Sequence, residues 1–324
     1  MHHRFQHTVF GSLFAAMVTA MSALSPGSAL AEGPAGQIAL SFDDAPRGDG
    51  VFFTGPERTE ALITALASVE VEGAMIFVLT GNIEKHAKGR DRLEAYVAAG
   101  HVLANHTHTH PFLRESDAAG YLADIDRAAD ILDTFKGTAP VFRFPYLDQG
   151  RTPEKRDLIH QGLAARGLSN GYVTVDNYDW YMNALVREAV EASHEIDMEV
   201  LKRTYVELML SSINFYDSIA RDTLDRTPPH ILLLHENDLA ALFIDDLVRA
   251  IREQGWQVIP ALQAYDDPIA RTAPDTTFNG QGRVAAIAHA QGHAPRALVH
   301  ESEDEDWLRE LFITRGLLPA VSAN

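Results

Sequence analysis

Cysteine is absent from the 324 residues. No disulfide can staple the fold, and any bound metal must be held by nitrogen and oxygen donors rather than thiolates. Basic residues are scarce: 27 Lys and Arg face 45 Asp and Glu, a net charge of −18. That balance argues against nucleic acid as a partner and against an anionic membrane surface. Long apolar runs are missing as well, except near the amino terminus. With 46% hydrophobic residues, the chain is nonetheless large enough to bury a substantial core without staples.

The one uncharged stretch, residues 9–24, follows a short segment carrying Arg4. Ser25, Pro26 and Gly27 break any helix there, and Ala29-Leu30-Ala31 supplies a small-x-small cleavage pattern. The stretch is short for a membrane span and no second one follows. Residues 1–31 are therefore expected to be a signal peptide, giving a periplasmic or secreted mature protein with no membrane span after cleavage.

From residue 37 onward, strand-like and helix-like segments alternate. Strands are expected over 38–42, 74–80, 101–105, 141–144, 172–175, 231–234 and 256–259. Most are near-continuous apolar runs, as for parallel strands covered on both faces. Helices are expected over 56–69, 91–99, 117–135, 153–166, 184–224 and 240–254, with Pro56 and Pro153 in first turns and Gly100, Gly137, Gly167 and Gly255 as caps. The pattern predicts an α/β fold, a barrel of about seven parallel strands, closed or nearly so, over 32–268. It carries a helical insertion at about 184–226, which suits either packing against the barrel or a lid over it. A C-terminal helical extension over 269–324 completes the chain, and its acidic run 301–306 reads as a solvated helix start.

Five polar sites fall at or just past strand ends: Asp43-Asp44, His106 to His110, Arg143 to Tyr146, Asp176 to Trp180, and His235. Strand C-termini of a parallel barrel open on one face, so these sites converge on one rim. If the strand persists, Asp43 and Asp44 point to opposite sides, leaving one to bind a metal and the other to act as a base. His106 and His110, four residues apart with His108 facing away, can aim two imidazoles at one ion. Two His and one Asp leave positions open for water, which is a hydrolytic arrangement. His235 is suited to protonating a leaving amine, with Leu233 on its side of the strand lining a small apolar pocket. Arg143 can clamp a carboxylate, and the Pro145-Tyr146 loop can present a backbone N–H to an oxyanion.

Ser-Phe-Asp-Asp, His-Thr-x-x-His-Pro, Arg-x-Pro-Tyr, Asp-x-x-Asp-Trp and Leu-Leu-His, in that order between residues 37 and 260, resemble the five motifs of the polysaccharide deacetylases. The resemblance implies a distorted (β/α) barrel and a divalent metal, usually zinc, held by Asp44, His106 and His110, with Asp43 as general base oriented by Arg143. It further implies the Tyr146 N–H as oxyanion donor, His235 as acid tuned by Asp179, and Trp180 and Leu233 lining an acetyl pocket. The chain departs from the pattern at Ala45 and Leu147, where the family commonly has Gly, and at Glu236, where it commonly has Asp. No catalytic group is lost by these changes, and Leu147 narrows or reshapes the groove. The expected activity is metal-dependent removal of acetyl groups from N-acetylated or O-acetylated carbohydrates. Two alternatives stand beside it: an amidase acting on a small non-carbohydrate N-acyl compound, and a non-catalytic glycan-binding barrel.

Overall fold

The protein is described from a computed structural model over residues 35–319. The expected signal peptide, 1–31, lies outside the described residues.

Seven strands form one sheet: β1 Gly36–Ala45, β2 Met75–Val78, β3 Val102–Asn105, β4 Thr138–Phe142, β5 Ser169–Asn170, β6 His230–His235 and β7 Trp256–Val258. Every pairing is parallel, in the order β5-β4-β3-β2-β1-β6, with β7 beside the first residues of β1. β1 lies at the centre and is buried from Ile38 to Asp43, as its unbroken apolar run requires. The helices between the strands are α1 Gly55–Ser68, α2 Asn82–Lys85, α3 Gly89–Ala98, α4 Ala118–Leu132, α5 Pro153–Ala165, α6 Asp179–Glu191, α7 Met198–Leu224 and α8 Asp238–Glu253. After β7 come α9 Ala261–Tyr265, α10 Gly282–Ala290 and α11 Glu305–Thr314. Local chemistry sets several starts: Thr54 and Glu57 make a reciprocal capping box at α1, and Asn237 caps α8 through Ala240 N–H at 2.9 Å. Gly167 and Gly255 turn the chain after α5 and α8 at φ +68° and +83°, which a side chain would disfavour.

The result is a distorted (β/α) barrel, open between β5 and β6. One expected strand is corrected here. Residues 172–175 form no ladder of their own; the short β5 precedes them, and only Val175 makes a bridge, to Leu232. Their polar backbone is satisfied instead across the open seam. Thr174 N–H donates to Ile231 O and Leu233 N–H to Val175 O, both at 3.1 Å, while Arg283 N–H at the start of α10 donates to Val173 O at 2.7 Å.

The long helical stretch breaks into α6 and α7 at Ser193, where φ is +57°, and Asp197 caps α7 by accepting from Glu199 N–H and Val200 N–H. α7 packs on α8 and α10 rather than over the barrel mouth. Residues of the extension, among them Val284, Leu308 and Phe312, are buried in the same apolar cluster as β1, β2 and β6. The acidic run is only partly solvated. Asp304 does cap α11, but Glu303 is 6% exposed, folded inward by a turn that His300 caps.

Candidate metal centre and catalytic cleft

β1 does not keep its alternation to the end. Its register slips between Phe42 and Ala45, and Asp44 takes φ +70°. The expectation that the two aspartates face opposite sides therefore fails, because both carboxylates approach His106 Nε2: Asp43 Oδ2 at 3.8 Å and Asp44 Oδ1 at 3.5 Å. Asp44 Oδ1 is also 3.2 Å from His110 Nε2.

The histidines sit on a loop, not a helical turn. Thr107 and His110 have φ +71° and +60°. Asn105 Oδ1 accepts from Thr107 N–H, Thr107 Oγ1 from His110 N–H, and Asp124 from His108 N–H and Thr109 N–H. His108 turns away to Thr80 Oγ1 at 2.9 Å. His106 Nδ1 lies 3.0 Å from Arg143 O; a carbonyl can only accept, so the proton is on Nδ1 and the Nε2 lone pair faces Asp44.

One ligand atom each from Asp44, His106 and His110 falls within 4.8 Å of the others. Asp44 Oδ1 is buried and makes no hydrogen bond of good geometry. An orphaned carboxylate oxygen beside two imidazole nitrogens is a fitting donor set for one divalent ion. Burial works against the Asp44 charge, yet the two histidines and then Arg47, whose Nη1 is 3.2 Å from Oδ2, hold its carboxyl well below the usual range.

Arg143 lies behind this centre, fully buried. Its Nη1 donates to Asp43 Oδ1 at 2.5 Å and to Ser41 Oγ at 2.9 Å, Nε donates to Gly171 O at 2.7 Å, and Nη2 to Tyr265 OH at 3.1 Å. The guanidinium also rests on the Phe77 ring, 3.8 Å from its centroid.

At the end of β6, His235 Nδ1 lies 2.6 Å from Asp179 Oδ1, while Asp179 Oδ2 accepts from His235 N–H at 2.9 Å and Asn237 Nδ2 at 2.8 Å. Asp179 opens α6 and is itself placed by Asn177 Oδ1, which accepts its N–H at 3.0 Å. Burial opposes charge on His235, but Asp179 outweighs it and lifts the imidazole above its ordinary value. Among the described residues none hydrogen-bonds its Nε2.

Tyr146 stands in a tight turn, Pro145–Leu147, at φ +57°. Its ring stacks on Phe112 at 3.5 Å and meets His110 edge-on at 4.5 Å. Among the described residues none accepts a hydrogen bond from Tyr146 N–H. Leu147, Val173 and Leu233 form a small buried apolar cluster beside it.

These side chains face one cleft of about 840 Å³, whose lining includes Asp43, Asp44, His106, His110, Tyr146, Trp180, Leu233 and His235. Arg143 and Asp179 stand behind it, touching Asp43 and His235. Sequence reasoning missed several lining residues: Arg47, Phe112, Arg114, Arg151, and the extension's segment from Thr277 to Gln281. Only Arg47, three residues past Asp44, had a local signal. Sequence reasoning had also noted Glu236 only as a departure. The structure buries it completely, where it accepts from Arg47 N–H, Thr59 Oγ1, Arg92 Nη2 and Tyr96 OH and so pins the loop after β1.

Residues 31–161 match the family described as Polysaccharide deacetylase. Over 111 residues the chain is 33% identical to a peptidoglycan-N-acetylglucosamine deacetylase of Bacillus cereus, covering 34% of this chain and 36% of that protein. Over 81 residues it is 37% identical to a chitooligosaccharide deacetylase of Rhizobium leguminosarum bv. trifolii, covering 25% and 32%. The chain thus matches about a third of the length of these curated relatives. A crystal structure of a polysaccharide deacetylase from Bacillus cereus aligns with 68% of this chain and 89% of its own at TM-score 0.50 and 17% identity, a likeness of fold. By sequence, residues 31–161 are similar to the polysaccharide deacetylase family, and the fold is like that of a solved member.

Proposed function

We propose that this chain is a metal-dependent hydrolase that removes acetyl groups from N-acetylated carbohydrates, acting in the periplasm or outside the cell once residues 1–31 are removed. On this reading residues 32–268 are the catalytic barrel and 269–324 an extension that completes its cleft. Among the described residues no helix is long and apolar enough to cross a membrane.

The observation that carries the reading is the convergence of Asp44, His106 and His110 beside a second carboxylate, Asp43, that Arg143 fixes separately. A divalent ion held by Asp44, His106 and His110, with zinc best suited to a nitrogen and oxygen set, would acidify a water and polarise the acyl oxygen. Asp43 takes the proton of the attacking water at Oδ2, the oxygen that Arg143 leaves free. Tyr146 N–H donates to the acyl oxygen as negative charge grows on it. His235 delivers a proton from Nε2 to the departing nitrogen, its charged form supported by Asp179. Leu147, Val173 and Leu233 offer the acetyl methyl an apolar seat, while Trp180, 37% exposed, presents a face on which a sugar ring can stack.

One feature favours a second reading, an amidase acting on a small N-acyl compound: Leu147 and the segment from Thr277 to Gln281 bound the cleft where a long polymer would have to pass. Acetate release from chitooligosaccharides, peptidoglycan fragments and acetylxylan, with and without chelator, separates the two. The carbohydrate reading expects chelator-sensitive release from at least one of the three. Release from none, with turnover of small N-acetyl amides, would replace it.

A further inference from the structure

Two carboxyl groups outside the catalytic set meet where the cleft wall, lined by Asp176, backs onto the extension. Asp176, from the segment that crosses the open seam, is 5% exposed, and Glu303, from the extension, is 6% exposed. Their side chains lie within hydrogen-bonding reach of each other. Glu303 Oε1 accepts from Tyr216 OH and from His300 N–H, while Oε2 is buried without a hydrogen bond of good geometry. Asp176 Oδ1 accepts from Asn177 N–H at 2.8 Å. Two ionised carboxylates are disfavoured in such a place, because the donors around them are neutral and bring no positive charge against their repulsion. The titratable groups facing the pair are Tyr216 on α7, Tyr178 and Asp179 at the start of α6, His300, and Asp304 and Glu305 at the start of α11, with the Gln281 amide alongside. His300 is held neutral by burial, at about 4, so none of these groups brings a positive charge.

We propose that Asp176 and Glu303 hold one proton between them, and that this carboxylic acid–carboxylate bond positions the cleft wall that carries Asp179 and, through it, His235. The connection is short. Asp176 is followed by Asn177, whose Nδ2 donates to Leu233 O at 2.8 Å and whose Oδ1 accepts Asp179 N–H. Glu303 thereby ties the extension to the residue that orients His235. The effect on His235 rests on the deacetylase reading; the shared proton does not.

The sign follows from the direction of the shifts. Burial first, and the neighbouring carboxyl second, drive Asp176 up, and burial drives Glu303 from 4.5 up to about 7. A carboxyl whose folded value is raised stabilises the fold fully at pH below its unfolded value and loses that contribution as pH rises through the folded value. The window for Glu303 is therefore 4.5 to about 7.

The test compares the full wild-type chain with Glu303→Gln, Glu303→Ala and Asp176→Asn. Thermal unfolding is followed between about pH 5 and 9, and acetate release at saturating and limiting substrate. Gln keeps the shape and a donor without a proton to lose. The Tm of Glu303→Gln should therefore gain on the wild type as pH rises through the window, and Asp176→Asn should do the same. In turnover, Glu303→Ala should lower kcat ~10- to 100-fold with KM little changed, and Glu303→Gln should recover most of it. A Tm difference between wild type and Glu303→Gln that stays constant with pH overturns the shared proton, as does a Glu303→Gln chain that does not fold. A Glu303→Gln variant as slow as Glu303→Ala overturns the positioning role. If the wild type releases no acetate, the functional reading fails while the Tm comparison still decides the proton.

Discussion

Arg143 offers the sharpest test of how the site is built, because its side chain and its backbone serve different partners. In Arg143→Lys the positive charge survives and a single ammonium can still reach Asp43. The fork does not survive. Gly171 O loses the Nε donor at 2.7 Å, Tyr265 OH loses Nη2 at 3.1 Å, and the planar contact with Phe77 at 3.8 Å goes too. Leaving one buried acceptor without a partner costs about 1–3 kcal/mol, a second lost bond adds about 1 kcal/mol, and the ring contact about 1 kcal/mol more. The folded state should therefore lose about 3–5 kcal/mol, read as a lower midpoint in urea. Turnover should fall more than stability implies, by ~100-fold, since the donor to Asp43 Oδ1 is no longer locked in place by the other arms of the guanidinium. Metal content after dialysis should not change: His106 is anchored on the Arg143 carbonyl at 3.0 Å, and a lysine has the same carbonyl. Turnover within ~3-fold of wild type would refute the orienting role. Loss of metal together with activity would refute the separation of side-chain from backbone function.

Asp43→Asn should keep the metal and lose turnover, whereas Asp44→Ala should lose both, as bound zinc and acetate release measured on the same samples will show. The His235 imidazole is raised by Asp179, so activity that needs its proton should fall as pH climbs through that raised value, and the stability drawn from the pair should be lost over the same rise. Asp179→Asn should bring the fall in kcat/KM to lower pH; an unmoved alkaline limb would separate His235 from that step. Leu147, which packs in the small apolar cluster at φ +51°, should tolerate Gly by backbone and lose about 2–3 kcal/mol by packing. The same Leu147→Gly change should widen acceptance from acetyl to propionyl and butyryl amides in a competition assay.

Much of this architecture is written in short-range patterns. The apolar runs of β1, β3, β4 and β6 each end in a polar motif, and the parallel-barrel rule then places those motifs together without reference to tertiary detail. What escaped had non-local causes. The positive φ of Asp44 comes from a register slip against β2, so alternation within one strand could not report it. Residues 172–175 look like a strand because they are apolar, but α10 and β6 take up their backbone groups. Glu303 sits in an acidic run and has the composition of a solvated residue; Tyr216, His300 and Gln281, all far from it or outside its run, make its burial tolerable. The segment from Thr277 to Gln281 carries no periodicity at all, and nothing but the closed chain shows that it borders the cleft.

The open seam between β5 and β6 gives the chain a built-in order of events. The residues proposed to hold the ion all lie before residue 111, and the family match ends at residue 161, yet the wall facing them draws on Gln281 and on the Arg283 N–H that holds Val173. A polypeptide emerging amino end first therefore carries these three side chains long before β6, which flanks β1, and the extension can complete the cleft around them. On the deacetylase reading, a chain cut short before the extension would carry the side chains proposed to hold the ion and still lack the contacts that set the wall behind His235.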